Sequence, residues 1–215
     1  MKKNVALVRL IISMFAVVLC GVLAQPVVAG AEEANSPEPQ ETVSAYLENE
    51  NGERIEVIGK LVPSIQPYSE NGEESATYVF DLSSADPELT MTDNDITLSV
   101  KAWLKIRFRR GDNGASVLLT GVSGGWTRMD STVDITNVSL NYGCVDIGPV
   151  TSGQKRSISS VSNNFSYNTG FTQYVPTAVG TAGANMFLSL RRGTAGSTWT
   201  FHIQNLYCNG GLPIG

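Results

Sequence analysis

The chain of 215 residues contains a single histidine, His202, and that scarcity excludes a good deal of chemistry. A metal site of the imidazole type needs companions that His202 lacks, and a nucleophilic triad would have to recruit a serine and an acid that no motif singles out. An outward-facing structural histidine is the expectation. Cysteine is almost as scarce, with three in the chain, and no metal-ligand cluster or cofactor motif emerges. Asp93, Asn94 and Asp95 supply oxygens, but the glycine and terminal glutamate of an EF-hand loop are missing, so they read as a polar loop. The two placed carboxylates of a glycosidase are not evident either: the acids crowd into the leader and into Glu70 to Asp95, with no aromatic subsite pattern beside them. No apolar run reaches the roughly twenty residues that cross a bilayer as a helix. Neither a long helix nor an internal repeat is predicted.

What the chain does have, at its start, is the pattern of an export signal. Lys2, Lys3 and Arg9 form a basic leader. Leu10 to Ala24 is an uncharged run of about fifteen residues, too short to span, that ends at Gln25-Pro26. Ala29 and Ala31 place small side chains where a signal peptidase needs them, so residues 1–31 read as a signal peptide and the mature protein as secreted, with no stable membrane insertion after cleavage. Lipid modification at Cys20 is opposed by the bulk of Val17, Val18 and Leu19. Leu212-Pro213-Ile214-Gly215 resembles a fragment of a sortase signal but lacks its threonine, hydrophobic tail and basic stop.

Without residues 1–31, 12 basic and 20 acidic residues remain, a formal charge of −8. The division along the chain is sharper: residues 32–95 hold 16 carboxylates against Arg54 and Lys60 (−14), whereas 96–215 hold 10 basic and 4 acidic residues (+6). Such asymmetry suits an acidic arm apposed to a basic sheet, two surfaces with different partners, or a solvated acidic segment that keeps an exported protein soluble. Residues 32–41, with Pro37 and Pro39 among acids, read as a disordered leader. Residues 42–215 suffice for one domain with a substantial core. Cys144 and Cys208 are expected to pair in an oxidising compartment, closing a loop of some sixty residues and contributing about 4 kcal/mol; two buried free thiols are the alternative.

From Thr42 onward the pattern is β almost throughout. Thr42 to Glu48 and Arg54 to Leu61 form a first pair, with Asn51-Gly52 as a two-residue turn, and Ala76 to Leu82 forms another strand. Ile96 to Arg110 alternates without a break: Ile96, Leu98, Val100, Ala102, Leu104, Ile106 and Phe108 on one face, Lys101, Trp103, Lys105, Arg107 and Arg109 on the other. Gly111-Asp112-Asn113-Gly114 turns the chain back. Pairing Arg110 with Ala115 sets Trp103 opposite Val122 and Ser99 opposite Trp126, so both tryptophans share the cationic face. Thr132 to Tyr142 is a strand with a bulge near Asn137, and Asn164 to Tyr174 contributes one or two more around Gly170. A last hairpin pairs Leu190 with Trp199, Leu188 with Phe201 and Met186 with Ile203, leaving Phe187 and His202 on the opposite side. Some nine or ten strands of this kind predict an all-β fold, an antiparallel β-sandwich, with a partly open barrel as the alternative.

The face bearing Trp103 and Trp126 is the candidate site. Tryptophan beside glycine, with Lys101 and Lys105 at hand and Arg107 extending the stripe, stacks a flat ring while cations meet an anionic substituent, as a site for charged glycans or wall polymers requires. The opposing reading covers the same face with acidic N-terminal strands and packs the cationic stems over the rings. Nucleic acid is disfavoured by the net negative charge and the want of a recognition helix.

Thr77-Tyr78-Val79-Phe80-Asp81, Val122-Ser123-Gly124-Gly125-Trp126, Tyr142-Gly143-Cys144, Tyr167-Asn168-Thr169-Gly170-Phe171 and Arg192-Gly193 followed by Ser197-Thr198-Trp199-Thr200 together resemble small secreted proteins of unassigned function from Gram-positive gut bacteria. The resemblance implies export and β architecture and brings no catalytic residue with it. The expected protein is therefore a non-catalytic interaction module. Two alternatives stand beside the glycan reading: docking of a protein partner or self-assembly through an open sheet edge, and a hydrolase whose site the sequence does not display.

Overall fold

The computed structural model describes residues 42–62, 72–82, 100–148, 154–193 and 198–214. The expected signal (1–31), the acidic leader (32–41), the Asp93-Asn94-Asp95 loop and the first residues of the long alternating strand (96–99) lie outside them.

Among the described residues twelve strands follow in chain order: β1 (Thr42–Asn49), β2 (Arg54–Glu56), β3 (Gly59–Val62), β4 (Glu73–Asp81), β5 (Val100–Gly111), β6 (Ser116–Arg128), β7 (Val133–Val145), β8 (Lys155–Ile158), β9 (Phe165–Asn168), β10 (Val175–Pro176), β11 (Thr181–Arg192) and β12 (Thr198–Asn209). They make two antiparallel sheets, in the order β2-β1-β12-β11-β7-β8 and β10-β6-β5-β4-β3, with β9 also pairing with β6. The sheets stack face to face and do not close into a barrel, so the sandwich stands and the barrel alternative is set aside.

Alternation builds the core. Val100, Ala102, Leu104, Ile106 and Phe108 of β5 turn inward and meet Trp199, Phe201 and Ile203 of β12 along with Met186, Leu188 and Leu190 of β11, all buried. Each such large side chain removed from water contributes about 1.5–3 kcal/mol. Phe80 meets Phe201 edge to face at 6.5 Å between ring centres, and Phe108 meets Tyr207 at 4.4 Å. A polar link also crosses between the sheets: the buried Asn205 amide of β12 donates to Leu104 O at 3.0 Å and Ala76 O at 3.3 Å in the facing sheet.

The β11–β12 register is the one expected, with Leu190 opposite Trp199, Leu188 opposite Phe201 and Met186 opposite Ile203. A bulge in β7 falls beside Asn137, where Ser189 pairs with Asn137 and Leu190 with Ile135. Elsewhere the expectations are corrected. Arg54 to Leu61 is two strands in different sheets: Val57 N still bonds Ala45 O at 2.8 Å, and the chain then crosses at Gly59, which has no Cβ to strike the Phe80 ring. The first turn is a three-residue loop, because the Asn49 side chain accepts from Asn51 N and Glu53 N at 2.9 Å each and only Gly52 takes a positive φ, +81°.

The expected disulfide is absent; Cys144 and Cys208 are buried free thiols. Both pair in register with Ala182, Cys144 from β7 and Cys208 from β12, so β11 runs between them. Two strand spacings put their Cα atoms about 9.5 Å apart, beyond the ~7 Å that a bridge spans. Burial pushes the Cys144 thiol up to about 12 and that of Cys208 to about 11, which makes both unreactive.

Candidate functional site

The cationic face exists as the alternation implies. Lys101, Trp103, Lys105, Arg107 and Arg109 all leave the outer side of β5, opposite in direction to the buried Ala102, Leu104, Ile106 and Phe108. Their cross-strand neighbours on β6 are Thr127, Gly125, Ser123, Gly121 and Leu118. Small residues there give the long β5 side chains room to lie down. The Trp103 indole rests over Gly125, where an added Cβ would fall 2.8 Å from its Nε1, and the Arg107 guanidinium covers Gly121.

The two tryptophans do not share this face. Trp126 pairs with Ala102, turns inward and packs half-buried against the core, whereas Trp103 pairs with Gly125 on the outside. The cause is a bulge. The turn has the expected four residues but is displaced by one, so that Gly111 closes it against Ser116 in place of Arg110 against Ala115, and between Arg107 and Phe108 the register slips by one residue, leaving Thr120 without a partner on β5. A slip of one flips every later side chain to the other face. Asp112, Asn113 and Gly114 all take positive φ in that turn, at 49°, 54° and 94°, a conformation suited to Asp, Asn and Gly. The Thr120 hydroxyl donates to Glu73, and its carbonyl accepts from Thr169 N at 3.0 Å, so the bulge is tied on both sides.

Among the described residues, acidic side chains flank the stripe within the same sheet. β4 sets Glu73 opposite Arg109 and Asp81 opposite Lys101. Arg107 is held, donating to Asn168 Oδ1 at 2.6 Å with its other nitrogen 3.5 Å from Glu73, and Arg110 pairs with Glu74. Among the described residues Lys101 and Lys105 form no ion pair. The face thus offers Trp103 bracketed by Lys101 and Lys105, whose Cα atoms lie about 13 Å apart along the strand, with Arg107 held beyond Lys105.

Sequence reasoning missed Asn163 and Asn164, which wrap the β6 edge where β9 stops pairing. Asn163 accepts from Trp126 N at 2.8 Å and donates to Trp126 O at 2.9 Å, imitating a neighbouring strand. Asn164, with φ +58°, places its side-chain oxygen over Gly125 beside Trp103. Behind this corner an open recess of about 440 Å³ is lined by Trp126, Thr127, Arg128, Asp134, Ile135 and Asn163. Arg128 Nη1 lies 3.2 Å from Asp134 across it.

His202 stands on the outer side of the other sheet, as expected, but is not free in water. Its ring stacks on Phe187 at 4.4 Å and 5°, and Tyr46 meets it edge-on at 4.6 Å. Both ring nitrogens are covered and lack hydrogen-bond partners. Among the described residues no three His, Cys, Asp or Glu side chains gather as metal ligands, and no helix is long and apolar enough to cross a membrane. Comparison of the chain with protein-family models, with curated proteins and with solved structures finds no match.

Proposed function

We propose that this is a secreted, non-catalytic interaction module that docks an anionic glycan or cell-wall polymer on the outer face of β5. The observation that carries the reading is Trp103 seated on Gly125 between Lys101 and Lys105, neither of which forms an ion pair among the described residues. A sugar ring stacks on the indole while its carboxylate or phosphate, or that of the next unit, meets an ammonium group. Arg107, immobilised by Glu73 and Asn168, presents an ordered guanidinium at the end of the stripe, its charge offset by Glu73.

Calorimetric titration of the protein with polygalacturonate, hyaluronan and a teichoic acid tests the reading. Trp103→Ala removes a stacking contribution of about 1–1.5 kcal/mol, which lowers affinity about tenfold. The double variant Lys101→Ala/Lys105→Ala flattens the salt dependence, because its charges are the ones that added salt screens. Absence of binding to every polyanion, or equal affinity in Trp103→Ala, would overturn the proposal.

A second reading has an observation of its own. Among the described residues β3 is the edge of its sheet; its Leu61 and Val62 are 55% and 42% exposed and Ile58, just before it, 85%. An edge with uncovered apolar side chains favours strand addition by a protein partner or a second copy. Light scattering that shows concentration-dependent assembly, abolished by Leu61→Lys, would support it over the glycan reading.

A further inference from the structure

We infer that the polymer docked on the outer face of β5 carries its anionic groups on alternate units, with a neutral sugar ring between them. The inference rests on the polyanion reading and adds to it the spacing of the ligand's charge. Trp103 sits in a row that is uncharged across three strands, paired with Gly125 of β6 on one side and with Val79 of β4 on the other. Among the described residues the row regains a charge at Lys60 of β3, beyond Val79. The face of an indole is the negative side of its quadrupole, so it welcomes C–H groups and cations and repels a carboxylate. A charged ring seated there would also lose water from its anion, and neither Gly125 nor Val79 has a side chain to donate in return. A neutral ring meets neither penalty. The cations stand two residues away on either side, Lys101 and Lys105, with Cα atoms about 7 Å from that of Trp103. A neutral unit on the indole therefore puts its two neighbours beside the lysines, where anionic substituents are stabilised. The two lysines are unequal. Lys105 lies between the uncharged Thr77 and Ser123, whereas Lys101 has Asp81 across from it on β4. Asp81 lowers the positive potential at Lys101, so Lys105 is the stronger anion contact.

Two oligosaccharides of equal ring number separate the cases: hyaluronan, in which glucuronate alternates with N-acetylglucosamine, and oligogalacturonate, in which every ring is charged. Both are titrated calorimetrically into the protein at one salt concentration, about 0.1 M, so that screening is the same. The alternating chain is expected to bind about tenfold tighter although it carries half the charge. Trp103→Ala should cost the alternating chain about tenfold and the galacturonate less, so that the two converge. Val79→Lys places a cation in the neutral row and should raise galacturonate affinity towards that of hyaluronan. Lys105→Ala should weaken hyaluronan binding more than Lys101→Ala does. Galacturonate that binds the parent as tightly as hyaluronan, a preference that persists in Trp103→Ala, or a larger loss in Lys101→Ala than in Lys105→Ala would overturn the inference and leave polyanion docking standing. Binding of neither chain would overturn both.

Discussion

Gly183→Ala is expected to destabilise the fold by about 3 kcal/mol, lowering the melting temperature by about 6–12 °C for a chain of this size. Gly183 sits where the β11–β12 ladder slips: Ala182 pairs with Cys208 and Gly183 with Leu206, so Tyr207 is the extra residue. Its φ of +154° is one that side chains rarely adopt, and an added Cβ would strike Asn205 O and approach Leu206 Cα to 2.7 Å. Both are backbone atoms of the neighbouring strand and cannot swing aside. The slip also positions Asn205, whose amide links the sheets, and Tyr207, which packs on Phe108. Gly52→Ala is the control: φ is +81° there too, but a Cβ meets nothing, so the cost is about 1 kcal/mol. Thermal melts of the two variants that fell equally would contradict this account of the bulge.

Acid is expected to weaken the fold through His202. Burial, and then the Arg54 charge, pull its imidazolium down from 6.5 to about 4, with Glu48 opposing. Between those two values the unfolded chain takes up a proton that the folded one refuses. Stability is therefore complete above pH 6.5, declines as pH falls towards 4, and has lost this contribution in full below that. The whole shift corresponds to about 3 kcal/mol; the ring is part-exposed, and screening brings the expected loss to about 2 kcal/mol. His202→Phe keeps the stack between Phe187 and Tyr46 and removes two covered nitrogens without partners. Its urea-unfolding free energy should change between pH 6.5 and 4 by about 2 kcal/mol less than that of the parent. An unaltered pH dependence in that variant would show that His202 is not the group responsible.

Where alternation runs unbroken, the sequence was legible to the residue. β11 and β12 carry apolar side chains at Met186, Leu188 and Leu190 and at Trp199, Phe201 and Ile203, and only one register buries all six. The β5–β6 hairpin failed for a reason the sequence also displays. Val117 and Leu119 occupy inward positions of one parity and Val122 of the other, and that break marks the Thr120 bulge, which a reading from the turn alone passes over. Other features depend on contacts between distant segments. Asn163 reaches Trp126 across 37 positions, and Glu73 reaches Arg107 across 34; no local pattern foretells either. The cysteines failed on topology, because composition shows that two remain but not that β11 separates them.

The Trp103 face can be watched directly. The chain has three indole N–H groups, one on the outer face of β5, one in the recess and one, Trp199, in the core. On addition of polygalacturonate to the labelled protein, the account predicts a saturable shift of the Trp103 signal that disappears in Lys101→Ala/Lys105→Ala, while the Trp199 signal stays in place. A polyanion that binds without disturbing Trp103, or a Trp103 signal indifferent to every polyanion, would contradict it.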